Sequence, residues 1–177
     1  MESLKWDSQP TPDFLQESPI VDYANADIRS LASALSACDA TATAKCCFDW
    51  VRDHIEHSID FHREEVTCVA SEVLRSGTGL CTAKSHLLVA LWRANQISAG
   101  FCYQRLTLDG PNPPCCTHGF TAALGWMTGA GIVAMRAATA SPGSTVHSRP
   151  DKKTWPIRPF ITASRPIWVF GPNPGQI

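Results

Sequence analysis

The chain has 177 residues, 44% hydrophobic and 18% charged, with a net charge of −1. That suits one globular domain and argues against a disordered chain, a fibre or a general nucleic-acid binder. No apolar run approaches the ~20 residues that cross a bilayer, and the polar start Met1-Glu2-Ser3-Leu4-Lys5-Trp6-Asp7 does not read as a secretory signal.

Residues 1–18 are polar and carry two of the first three prolines, so they are expected to be extended. Between Asp27 and Cys38, Ile28, Leu31, Ala32 and Leu35 fall on one helical face. A second helix is expected over Ala42 to Ile59, with Phe48, Val51 and Ile55 inside and Arg52, Asp53, Glu56 and His57 outside. His54 and His57 then stand three apart, a spacing that suits either a metal or a solvated helix face. Val66 to Arg75 is a short amphipathic segment, and Gly77-Thr78-Gly79 breaks the chain. Leu80 to Asn95 gives the strongest helical signal, with Leu87, Leu88, Leu91 and Trp92 as its buried stripe. Ala99 to Leu108 and Cys116 to Leu124 read as strands, joined through Asp109-Gly110 and the prolines at 111, 113 and 114.

Charge divides the chain. Residues 1–122 hold nine Lys/Arg and fifteen Asp/Glu; residues 123–177 hold six Lys/Arg, one acid (Asp151) and seven of the thirteen prolines. The expected organisation is an extended segment at 1–18, a core at 19–122 and an irregular basic tail at 123–177. Eight cysteines include the adjacent pairs Cys46-Cys47 and Cys115-Cys116, which geometry keeps from bridging internally. Without a signal they read as reduced thiols of a cytoplasmic protein.

One cysteine has a placement suited to chemistry. A thiol attacks as thiolate, and the first turn of a helix favours that anion through its outward N–H groups and partial positive charge. Cys81 opens the long helix just after Gly79. The same N–H groups suit a developing oxyanion. His118 sits near the start of a strand between the small residues Thr117 and Gly119, which leaves room for an imidazole to face a thiol. The plainer reading is an inert core cysteine. A metal site at Cys115, Cys116 and His118 is a further alternative, but no C-x-x-C pair is present to anchor zinc. His86, five residues after Cys81, faces another way round the helix and reads as a surface or structural histidine.

The segment Gly79-Leu80-Cys81-Thr82-Ala83-Lys84, followed by Leu87 through Ala94, resembles the nucleophile helix of the transglutaminase-like superfamily. Trp50-Val51-Arg52-Asp53-His54-Ile55 is similar to that family's V-R-D-x-I helix, and Ala70-Ser71-Glu72-Val73-Leu74 to its A-S-x-V-L segment. Gln96-Ile97-Ser98-Ala99-Gly100 is a weakened form of G-I-P-A-R, and Cys116-Thr117-His118-Gly119-Phe120 resembles the histidine strand. The resemblance covers about Pro19 to Ala122. It implies an α+β, papain-like fold: helices at the N-terminal side, the nucleophile helix packed on an antiparallel and incomplete sheet, and an irregular tail. It also implies Cys81 as the nucleophile forming a thioester and His118 as general base, with a peptide or protein amide as substrate. No cofactor, metal, nucleic acid or membrane partner is implied.

The family's third member, an aspartate on the next strand, is missing here. Asp151 is the only acid after His118, and it lies in a basic, proline-flanked stretch. One expectation follows from the codons. Regrouping the tail one frame over turns Trp126-Met127-Thr128 into Asp-Asp and permits D-A-R-G-N within 130–139, so the tail reads as out of frame. The coding DNA decides this. The function expected is acyl transfer or amide hydrolysis through Cys81, the alternative an inactive remnant or binding module on the same scaffold.

Overall fold

This computed structural model describes residues 12–107, 115–124, 132–135 and 169–171. The early segment is less open than its composition suggests: Pro12–Leu15 form one 3-10 turn that buries Phe14. Helix α1 runs over Ala26–Ala34, and the Asn25 side chain accepts from Asp27 N at its start. Helix α2 runs over Ala40–His54, capped by Asp39, whose carboxylate accepts from Ala42 N at 2.8 Å.

Helix α2 stops at His54 rather than Ile59, because Ile55 turns extended and Glu56–His57 form strand β1. The long-range partner that pulls them out of the helix is strand β2, Thr78–Gly79, paired in parallel as Glu56↔Thr78 and His57↔Gly79. His54 and His57 therefore do not share a helix face, and His57 is half-buried rather than on a wet surface. The inner stripe of α2 also differs: Ala44, Cys47 and Val51 are fully buried, while Phe48 packs at the margin. The free thiol of Cys47 is pushed up to about 12, chiefly by burial, so it is a small core residue.

Helix α3, Ala70–Ser76, is tied to the start of the domain by Ala70 N donating to Ile20 O and Ser71 N to Asp22 Oδ1. Its end is set by Gly77, whose φ of +67° is the left-handed value that glycine adopts without strain. Helix α4, Cys81–Ala94, is the centre of the core. Leu87, Leu88, Leu91 and Trp92 have no exposed surface, and residues 83–93 are buried all round. Burial of each such side chain contributes about 1.5–3 kcal/mol relative to exposure. Arg93 is buried too. It donates from Nε and Nη2 to Ala99 O (3.1 and 2.7 Å) and from Nη1 to Gln16 O, fastening the helix end to its neighbours. Burial pushes its guanidinium down to about 10.

Strands β3 (Ala99–Thr107) and β4 (Cys115–Leu124) form an antiparallel pair in the register Ala99↔Ala123 through Thr107↔Cys115. Two short pieces of the tail join them: β5 (Ile132–Met135) beside β4 and β6 (Val169–Gly171) beside β3, giving the order β5-β4-β3-β6. The architecture is α+β with α4 on an antiparallel sheet, as expected; the tail's contribution of two strands is not legible from its composition. The rest of 123–177, Asp151 included, lies outside the described residues. No helix among the described residues is long and apolar enough to cross a membrane.

Candidate active site

Cys81 is the first residue of α4 and is partly exposed. Two constraints bring it there. Strand β2 is held on both flanks, with Ser58 N donating to Gly79 O (3.2 Å) and Thr67 Oγ1 donating to Thr78 O (2.9 Å). Gly79 then runs so close to the helix that an added Cβ would lie 3.0 Å from both Ala83 Cβ and Thr67 Oγ1. Leu80, extended at φ −67° and ψ 168°, has no side-chain oxygen with which to cap the first turn. The first helical bond is Lys84 N to Leu80 O, and Ser85 Oγ donates back to Cys81 O at 2.8 Å.

The sheet meets this same turn. At Gly119 an added Cβ would come 2.7 Å from Thr82 Cγ2 and 3.4 Å from Thr82 Cα. The residue after Cys81 and the residue after His118 are therefore in direct contact, so Thr82 fills the space that the small Gly119 was expected to leave for an imidazole. Side chains alternate across a strand. Gly119, Thr121 and Ala123 share the face towards α4, and His118, Phe120 and Ala122 share the other. The His118 and Phe120 rings stack at 6.3 Å between centroids, consistent with a common face. His118 is half-buried. The structure thus joins the two backbone segments, while the imidazole leaves β4 from the side opposite Gly119. Strand β5, which pairs with β4 through Thr121↔Met135, has the sequence Ile-Val-Ala-Met and offers no carboxylate.

The close approach at Gly119 has a measurable consequence. Gly119→Ala should destabilise the protein by about 1–3 kcal/mol through overpacking. Thr82→Ser, which removes Cγ2, should recover a good part of that loss. Urea unfolding of the two single variants and the double variant reads the coupling; strictly additive effects would contradict the contact.

A group of charges beside the site escapes the sequence reading. Lys84, three residues after Cys81, has no exposed surface, and its ammonium donates to Ile55 O. Burial pushes it down to about 8, against the pull of Asp60 and Asp53. His57 Nδ1 lies 3.3 Å from Asp60 Oδ2. Its imidazole is lowered by burial first, with Asp60 opposing and Lys84 adding to the shift. The only sequence signal was a lysine one turn from Leu87 and Leu88 on an apolar helix. His86, read as surface or structural, is buried and structural: Nδ1 is 2.7 Å from Cys68 O, and the ring meets Phe101 edge-on. Burial lowers its pKa. Among the described residues no three His, Cys, Asp or Glu side chains gather as a metal site would require.

Comparison with known proteins adds to this geometry. The family model of the transglutaminase-like superfamily matches residues 29–129. No curated protein matches the chain. Among solved structures, the chain is similar to a candidate cysteine protease from Cytophaga hutchinsonii, with a TM-score of 0.55 and 20% identity over 70% of this chain. The match covers 40% of that structure's chain and shows a shared fold.

Proposed function

The chain belongs to the transglutaminase-like superfamily, and from that premise we propose that it is a thiol enzyme acting on a peptide or protein amide, with Cys81 as nucleophile and His118 as general base. One observation carries the reading: Cys81 opens α4 partly exposed, and the strand bearing His118 touches the next residue of that helix through Gly119. His118 takes the thiol proton, and Sγ attacks the amide carbon. The carbonyl electrons move to an oxygen that the uncapped N–H groups of the first turn can hold. As the C–N bond breaks, His118 returns the proton to the leaving amine, and a thioester remains on Cys81. Water or a second amine then attacks the thioester and frees the thiol. This pairing requires the imidazole, which leaves β4 on the side opposite Gly119, to turn towards the sulfur by another route, since Thr82 Cγ2 fills the space at Gly119; such catalytic bonds often tighten only when substrate binds. The protease description of the Cytophaga protein is consistent with a protein substrate.

A second reading is favoured by β5. No carboxylate lies beside β4 there, so nothing described on that strand orients the imidazole. In that reading the chain is a binding module or inactive remnant on the same scaffold. The out-of-frame tail belongs with it, and coding DNA that fails to give D-A-R-G-N in the shifted frame would remove that part.

Iodoacetamide labelling at graded pH, followed residue by residue by peptide mapping, separates the two. The thiol reading predicts that Cys81 labels at about pH 6.5 at least tenfold faster than the exposed Cys38 and Cys46. Cys81→Ser should remove the fast phase. Equal, slow labelling of all of them would favour the inactive reading.

A further inference from the structure

A helix N-terminus offers N–H groups to any anion, so the first turn of α4 selects nothing by itself. This turn differs in how the peptide unit after the thiol is held. That unit is Cys81 C=O with Thr82 N–H, because one residue's carbonyl and the next residue's N–H share a single planar amide.

Two contacts act on the unit. On its carbonyl side, Ser85 Oγ donates to Cys81 O at 2.8 Å. Ser85 is 2% exposed, on a stretch of α4 that is buried all round. A serine inside a helix often returns its hydroxyl to the carbonyl one turn back. Here that carbonyl belongs to the candidate nucleophile, and the helical ladder assigns it to Ser85 N as well. On the other side, Thr82 is stopped by the sheet, where a Cβ added at Gly119 would meet its Cγ2 at 2.7 Å and its Cα at 3.4 Å. The Cys81–Thr82 peptide is therefore fixed between its own helix and β4.

The carbonyl bond also has an electronic effect. A donor on the carbonyl draws electron density through the amide and makes the N–H of the same unit a stronger donor; linked bonds reinforce one another by about 10–30%. The first backbone bond of α4 runs from Lys84 N to Leu80 O, so the N–H groups of Cys81, Thr82 and Ala83 have no helical acceptor. Ala83 is buried, whereas Cys81 and Thr82 are partly exposed. In acyl-transfer enzymes of another fold, the N–H of the residue after the nucleophile receives the oxyanion.

We propose that Ser85 is a positioning residue for acyl transfer at Cys81: its hydroxyl, bonded to Cys81 O, holds and polarises the Cys81–Thr82 peptide so that Thr82 N–H binds the oxyanion. The proposal rests on the thiol reading above and adds to it one oxyanion donor and the residue that sets it. As Sγ bonds to the acyl carbon, the carbonyl pair moves onto oxygen and is met by Thr82 N–H. The pair returns to carbon as the leaving group departs with its own bonding pair.

Two reagents that meet the same sulfur through different transition states test this on the full chain. Iodoacetamide transfers a saturated carbon to Sγ with loss of iodide, and no oxyanion forms. p-Nitrophenyl acetate acetylates Sγ through an oxyanion with loss of p-nitrophenolate. The ratio of the acetylation to the alkylation rate at Cys81, followed by peptide mapping, isolates the oxyanion. Ser85→Ala removes the hydroxyl and suits a helix. It should lower the ratio about two- to fivefold, the part of an oxyanion donor's effect that polarisation supplies. Ser85→Thr, whose Oγ1 can make the same bond, should keep it. At the exposed Cys38 the ratio should be the same in all three proteins. An unchanged ratio in Ser85→Ala, or two rates that fall together, would overturn the proposal and leave Ser85 a packing residue. Ser85→Ala decides alone if the extra methyl of Ser85→Thr prevents folding. A natural chain whose Cys81 is alkylated no faster than Cys38 would overturn the thiol reading, and this proposal with it.

Discussion

Trp92→Ala should lower the unfolding free energy by about 3–5 kcal/mol, among the largest losses a single side chain in this core can give. Trp92 has no exposed surface, and its Nε1 donates to Ala44 O at 3.1 Å, joining α4 to α2. Truncation leaves a void enclosed by two helices whose backbones are fixed by their own hydrogen bonds, so little collapse can refill it. For a domain of this size the melting temperature should fall by roughly 10 °C. Trp92→Phe keeps most of the volume and loses the indole donor, and should cost about 1–2 kcal/mol. Urea unfolding at constant slope checks both. A loss below about 1 kcal/mol for Trp92→Ala would mean that α2 and α4 are not packed through this ring.

The second large effect depends on pH. The Lys84 ammonium is pushed down to about 8 by burial, from an ordinary value of 10.5. Below pH 8 it is protonated in both the folded and unfolded chain, and the cost of burying the cation is constant. From pH 8 to about 10.5 the folded chain sheds a proton that the unfolded chain keeps. Folding stability from this residue therefore rises with pH across that window. The slope approaches about 1.4 kcal/mol per pH unit, and the whole gain is about 3 kcal/mol. Lys84→Met has no ammonium to titrate. The stability difference between the natural chain and Lys84→Met, measured from pH 7 to pH 10.5, should move in favour of the natural chain as pH rises. Other titrating groups cancel in that difference. A difference flat with pH would show that the ammonium is hydrated rather than buried against Ile55 O.

The parts legible in the sequence are those governed by local pattern. The stripe Leu87, Leu88, Leu91, Trp92 announced α4, and Gly79 ahead of Cys81 announced where it begins. Gly119 beside His118 was expected to leave room for the imidazole, but that room is taken by Thr82, which a strand's sequence alone does not announce. The parts that escaped depend on distant partners. Helical periodicity runs on past His54, but pairing with Thr78–Gly79, more than twenty residues away, draws Glu56 and His57 into a strand. A lysine on a helix reads as solvated; Lys84 is buried because the end of α2 supplies a carbonyl that lies 29 residues away. His86 is buried for the same kind of reason, through Cys68 O. Nor does anything in Ile132–Met135 or Val169–Gly171 distinguish those residues from the rest of a proline-rich tail; the open sides of β3 and β4 select them.

The central claim is that the sulfur of Cys81 and the imidazole of His118 work on the same atom, although β4 carries the ring on the side opposite Gly119. Treatment with 1,3-dibromoacetone measures this directly, since its short bridge links a thiol to an imidazole only where the two can meet. The account predicts one peptide pair joined through Cys81 and His118, lost in Cys81→Ser. Cys81 modified at one end only, or bridged instead to His57, would contradict it.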